Sequence, residues 1–302
     1  MSPRCRDELL AVFLATIACL APAPGLGQIA LPQASGQPLI LQQPAQRVVA
    51  LAPHLAELIY DAGAGEVLVG ATEYSNYPAA ALDVARIGDA FRFDLERILA
   101  LRPDLIIAWE SGNPGAALDR LEQLGLRVWR TELLHPEGIA TLLEQIASAT
   151  GRPPPQSAES VRQKLLSLER TNAAHLRIRY FYQVAEKPLF TLNGAHLVSQ
   201  GLARCGGENI FAQEPVLAPQ VAHEAVLLGQ PQVVFAPHTR GQPDPLAHWR
   251  KWPRMDAVRN EALVLLNADE ISRATSRTLD SLAYACEQLD HVRRKLNKES
   301  SR

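Results

Sequence analysis

Short runs of β-branched and large apolar residues alternate along the chain with stretches in which apolar residues recur every three or four positions. RVVAL (47–51), VLVGA (67–71), LIIAW (105–109) and VWRT (128–131) predict strands, and HLAELIYDAG, DLERILAL and PEGIATLLEQIASATG predict the intervening helices. Strands alternating with helices assemble as parallel βα units. A second series follows, with strands expected at RIRYFYQV (177–184), PLFTL (188–192), VVFAP (233–237) and LVLLN (263–267). Between the two series, residues 152–176 open with Arg152 and three consecutive prolines and continue as a helical pattern with Val161, Leu165 and Leu168 on one stripe. The expected fold is α/β: two lobes, residues 47–151 and 177–302, joined by a single long α-helix at 152–176, with a ligand cleft between them.

An internal repeat supports two related lobes. ERILALRPDLIIAW from Glu96 matches EAVLLGQPQVVFAP from Glu224 in residue type, each glutamate opening a helix that leads through a proline seven residues on into a buried strand. Packing accounts for the apolar positions, but it does not require an exposed glutamate at the same place in both copies. Ligands of open α/β sheets bind beyond the carboxyl ends of the strands, so Trp109, closing LIIAW, is expected at a mouth. Tyr74, in the polar loop EYSNYP, is expected near it.

The N-terminal residues change the picture of location. LLAVFLATIACLAPAPGLG is an apolar run of signal-peptide length ending in small residues, so residues 1–27 are expected to be removed on export and 28–46 to form a flexible segment. Cys19 lies in a poor lipoprotein box, which favours a soluble periplasmic product over a lipid-anchored one. Cleavage would leave Cys205 and Cys286, whose even number in an oxidising compartment favours one disulfide over two unrelated buried thiols. Of the 302 residues, 47% are hydrophobic and 21% charged, with a net charge of −2, which excludes a polyanion binder and leaves no nucleic-acid partner. No apolar run after the leader is long enough to span a membrane.

Nothing assembles a nucleophile with a base. HEAVL (223–227) lacks the second histidine of a zinc protease, GAGEVLVG (63–70) precedes a strand instead of following one, and neither a GxSxG elbow nor a P-loop occurs. No catalytic residues, catalytic cofactor or metal site are expected, and the chain reads as a binding protein.

TEYSNYP (72–78), LERILALRPDLIIAW, CGGENIF (205–211), PQVAHEAVL (219–227) and SRATSRTLDSLAYAC (272–286) together carry a resemblance running from about Arg47 to about Leu289. The chain resembles the periplasmic cobalamin-binding proteins of bacterial ABC importers, within the metal-chelate class of solute-binding proteins. That resemblance implies two Rossmann-like lobes bridged by a rigid helix, a corrinoid held between them, and a monomer that docks on a transmembrane permease dimer. It places ligand contacts at Tyr74, Trp109, Phe190, Asp269 and Arg273, and Pro53 and His54 in the first loop that lines the pocket; Phe91 is expected to add a contact of its own. It also implies permease docking through Glu96 and Glu224, and a disulfide between Cys205 and Cys286.

Two positions depart from the family pattern, with Ala90 and Ala218 standing where its best-known members carry tryptophans. Phe91 and Phe93 are the residues placed to compensate on the first side. His54 is a third departure and is a possible axial ligand to the metal. The rival ligand class is haem or a ferric siderophore, with His54 or Tyr74 on the iron and Arg273 on a propionate or catecholate.

Overall fold

The computed structural model describes residues 28–34, 36–170 and 176–300. The expected leader, with Cys5 and Cys19, lies outside the described residues. Residues 28–46, expected to be flexible, instead hold an antiparallel hairpin of β1 (Ile29–Leu31) and β2 (Leu39–Leu41). Leu31 and Leu41 are only 1% and 2% exposed, and Pro32 accepts a hydrogen bond from Trp129 Nε1 at 2.7 Å. Each strand is three residues long, too short for its alternation to stand out among the surrounding prolines and glycines.

The first lobe comprises β3 (Val48–Ala50), α1 (Pro53–Asp61), β4 (Leu68–Ala71), β5 (Ala85–Arg86), α2 (Leu95–Ala100), β6 (Leu105–Trp109), α3 (Gly115–Gln123), β7 (Val128–Thr131) and α4 (Gly138–Ala149). Its five strands are all parallel, in the order β5-β4-β3-β6-β7. The helix α5 (Gln156–Arg170) starts directly after the proline triplet, and Val161, Leu165 and Leu168 on its stripe are buried.

The second lobe comprises β8 (Ile178–Tyr182), β9 (Ala185–Glu186), β10 (Leu189–Phe190), α6 (Leu197–Arg204), β11 (Gly207–Asn209), α7 (His223–Gly229), β12 (Val233–His238), α8 (Asp256–Arg259), β13 (Leu263–Asn267), α9 (Ala268–Ile271) and α10 (Thr278–Ser300). Its parallel sheet runs β11-β8-β12-β13. The predicted strand PLFTL contributes only the two residues of β10, which pair antiparallel with β9 outside that sheet. The edge position belongs to β11, whose Gly-Glu-Asn composition gives no strand signal.

One apolar core runs through both lobes. It joins Val48 and Ile107 under the first sheet to Tyr180 and Phe235 under the second, by way of α4, α5, α6 and α10. Smaller cores cover the opposite face of each sheet. A disulfide links Cys205, after α6, to Cys286 in α10, with the Cα atoms 5.7 Å apart.

The lobes are also tied by charge. Glu57 of α1 is fully buried; its Oε1 accepts from Arg277 Nε and Thr275 Oγ1, both at 2.7 Å, and its Oε2 accepts from Arg277 Nη2 at 2.6 Å. Farther along the seam, Arg204 pairs with Glu137, and Gln200 Nε2 donates to the Leu134 carbonyl at 2.8 Å. Removing one partner of a buried pair leaves the other uncompensated, so Glu57→Gln is expected to lower the unfolding free energy by about 3–5 kcal/mol, measured by urea denaturation. A loss below about 1 kcal/mol would show that the arginines find other partners.

Candidate functional site

Between the lobes lies a cavity of about 540 Å³. It is built at the carboxyl ends of strands, where open α/β sheets hold their ligands. Pro53 and His54 enter from the start of α1, Trp109 from the end of β6, and Glu132 from just past β7. The second lobe supplies Tyr182 at the end of β8, Pro237 near the end of β12, His196 before α6, and Asp269 and Arg273 from α9 and the turn after it. Leu133, Leu192 and Leu217 make much of the rest apolar.

Trp109 is fixed from several directions. Its backbone N–H donates to Asn113 Oδ1 at 2.7 Å and its Nε1 to Glu132 Oε1 at 3.1 Å. The ring meets His54 edge-on, with centroids 5.3 Å apart. A Cβ on Gly112 would lie 1.9 Å from the indole, so only glycine lets the loop pass so close beneath the ring. Asn113, buried, also donates through Nδ2 to the carbonyls of Leu51 and Ala90 and so gathers three loops at this wall.

Arg273 is 11% exposed and already engaged. Its Nη2 donates to Asp269 Oδ1 at 2.9 Å, its Nη1 to Asn76 Oδ1 at 2.7 Å, and Glu57 Oε2 stands 3.9 Å away. His54 is pushed down to about 4 by burial, assisted by the charge of Arg273. His196 is likewise held at about 4 by burial, and its Nδ1 accepts from Val198 N–H as the cap of α6. Both rings are therefore neutral at pH 7.

Five of the expected contact residues, Pro53, His54, Trp109, Asp269 and Arg273, line this cavity. Tyr74, Phe91 and Phe190 do not. Tyr74 is 76% exposed with a left-handed φ of 65°, on the loop whose Asn76 binds Arg273. Phe91 is 68% exposed in the loop that Asn113 anchors. Phe190 is half-buried, and its carbonyl accepts from Val184, a cavity residue. Phe93 is partly buried and packs against the core of the first lobe. On the other side, Leu217 lines the cavity next to Ala218.

Glu132, Tyr182 and His196 escaped the sequence reading. The rule that singled out Trp109 at a strand end applies equally to Tyr182 and Glu132, whereas His196 is visible only once α6 is known to begin there.

The repeat holds in three dimensions. Glu96 and Glu224 are both exposed second residues of their helices, and the buried residue two positions on is Ile98 in one and Val226 in the other. Arg102 and Gln230, immediately before Pro103 and Pro231, both take left-handed φ values, 46° and 43°. Asp104 Oδ1 and Gln232 Oε1 then accept from the backbone of Arg47 and Arg179 at the neighbouring strand.

The sequence profile of the periplasmic binding proteins matches residues 48–270. The chain belongs to that family. A vitamin B12-binding protein of Vibrio cholerae serotype O1 is 41% identical over 250 residues, covering 82% of this chain and 90% of the relative. The crystal structure of the periplasmic vitamin B12 binding protein of Vibrio cholerae superimposes with a TM-score of 0.74 at 40% identity, covering 82% of this chain and 98% of that one. A periplasmic heme-binding protein from Roseiflexus sp. RS-1 gives a TM-score of 0.70 at 21% identity, covering 82% and 99%, a likeness of fold. Periplasmic binding proteins are substrate-binding proteins, and here the cavity between the lobes is where the fold would hold a solute. Among the described residues no group of three or more His, Cys, Asp or Glu is arranged to hold a metal ion, and no helix is long and apolar enough to cross a membrane.

The two neutral histidines make a prediction about pH. Their folded values lie below the unfolded value near 6.5, so the unfolded chain binds more protons between about pH 6.5 and 4. The stability they contribute is present above that window and is lost as pH falls through it. Ring NMR signals of His54 and His196 are expected to stay neutral down to about pH 5, and titration of either near its ordinary value would contradict the burial described here.

Proposed function

We propose that the chain captures a cobalamin or related corrinoid in the interlobe cavity and hands it unchanged to an ABC importer. The observation that carries this reading is the charge state of the cavity. Among the described residues its walls hold one cation, Arg273, already committed to Asp269 and Asn76, while both histidines are neutral. A haem or ferric siderophore brings carboxylates or catecholates that need a free cation. A corrinoid is edged by amides and asks for apolar surface and hydrogen-bond acceptors, which Trp109, Leu133, Glu132 and Asp269 supply. The vitamin B12-binding relative at 41% identity supports the same choice.

A cavity of about 540 Å³ suits a drug-sized ligand, so a corrin would project from it. In this reading Trp109 and His54 meet the macrocycle inside, and the exposed rings of Tyr74 and Phe91, with the half-buried Phe190, cover what projects. Ala90 and Ala218 leave the mouth wider than a pair of tryptophans would. Export to the periplasm, a non-enzymatic role, and docking of Glu96 and Glu224 on arginines of the permease dimer belong to the same proposal. The helix repeat supports the docking role by presenting both carboxylates in equivalent, exposed positions.

Calorimetric titration is expected to show one site for cyanocobalamin or cobinamide and no heat with haem. Haem binding with a shifted Soret band and no corrinoid heat would overturn the proposal, and His54 and Tyr74 would then be the first iron ligands to mutate. Trp109→Ala is expected to weaken corrinoid binding by about 10–100-fold, through loss of the ring and release of Glu132. The double variant Glu96→Ala, Glu224→Ala should keep its corrinoid affinity and lose uptake; undiminished uptake would remove the docking role.

A further inference from the structure

Glu132 faces the cavity just past the carboxyl end of β7 and is held by three donors. Its Oε1 accepts from Trp109 Nε1 at 3.1 Å and Leu133 N–H at 3.2 Å, and its Oε2 accepts from Ser111 N–H at 2.9 Å. All three are neutral N–H groups, and none of the ion pairs among the described residues includes Glu132. The carboxylate is thus positioned without being neutralised. A carboxylate offers about four acceptor sites, so capacity remains on the cavity side. Across the cavity, Asp269 uses Oδ1 for Arg273 and keeps Oδ2. Acceptors therefore face inward from both lobes, and the one cation that lines the cavity among the described residues is spent on Asp269, Asn76 and the nearby Glu57.

We propose that Glu132 sets the ligand class of this cavity by charge, admitting a macrocycle edged by carboxamides and rejecting one edged by carboxylates. The inference rests on the corrinoid reading and adds a selection within it, for fully amidated corrinoids over those with one or more free acids. An amide N–H of the ligand donates to the acceptor site that remains on Glu132 Oε2. A carboxylate in the same place faces a fixed like charge, and neither neighbouring histidine carries a charge to offset it. Rejection through an unfavourable contact is as effective a source of specificity as attraction to the right ligand. Because both oxygens are anchored by donors, Glu132 cannot swing away without breaking the bond that holds Trp109 in place.

The test compares cyanocobalamin with the separate isomers of its monocarboxylate, each having a single side-chain amide hydrolysed, by calorimetry near neutral pH. In the unaltered protein at least one isomer is expected to bind about tenfold or more weakly than the parent. Glu132→Gln keeps an oxygen for Trp109 Nε1 but removes the charge, and should bring that ratio within about threefold. Glu132→Asp keeps the charge and should keep the discrimination. Isomers that all bind as tightly as the parent would overturn the proposal. So would a ratio unmoved by Glu132→Gln, one lost in Glu132→Asp, or one abolished only by Asp269→Asn. An unaltered protein that gives no heat with any corrinoid would instead overturn the functional reading on which the proposal stands.

Discussion

The buried carboxylate of Glu57 is the constraint on which the cavity depends. It sits in the first lobe and is satisfied almost entirely by Thr275 and Arg277 of the second, with Arg273 beyond. A charge in such a place is costly unless every lone pair finds a donor, so the two lobes cannot part here without exposing an unsatisfied pair. The pairing also holds Arg277 above its usual range, chiefly through its hydrogen bonds to Glu57, and lays its guanidinium over the Tyr77 ring at 3.8 Å. The loop that carries Tyr74 and Asn76 is thereby fixed at the mouth. With an apolar core common to both lobes, the cavity is formed in advance, which reduces the ordering a ligand must impose.

The alternation of apolar runs and helical stripes was legible because it reports burial directly. LIIAW, VWRT and LVLLN are strands over the whole of their expected lengths, since each is a mostly apolar run paired in a parallel sheet. The hairpin before β3 and the edge strand β11 were not legible. Their pairing comes from tertiary context: three residues are too few for the hairpin strands to show a period, and the Gly-Glu-Asn of β11 carries no strand preference.

The site was legible in part for a related reason. Residues at strand ends and at the start of the helix after β3 fall where topology sends them, which is why Trp109 and His54 line the cavity. The positions of Tyr74, Phe91 and Phe190 depend on loop conformations set by distant partners such as Asn113 and Arg273, and no local pattern encodes those. The same limit hid the state of Arg273. Its spacing from Asp269 announces a pair, but Asn76 and Glu57, which also engage its guanidinium, are remote in sequence.

The linking helix α5 has fifteen residues, about 22 Å of rigid rise, and its buried stripe belongs to the core that the lobes share. It spaces the lobes as a ruler would. In the docking proposed above, a permease that grips Glu96 and Glu224 would meet that one span, and it would read cargo at the mouth, from what projects between the exposed rings of Tyr74 and Phe91.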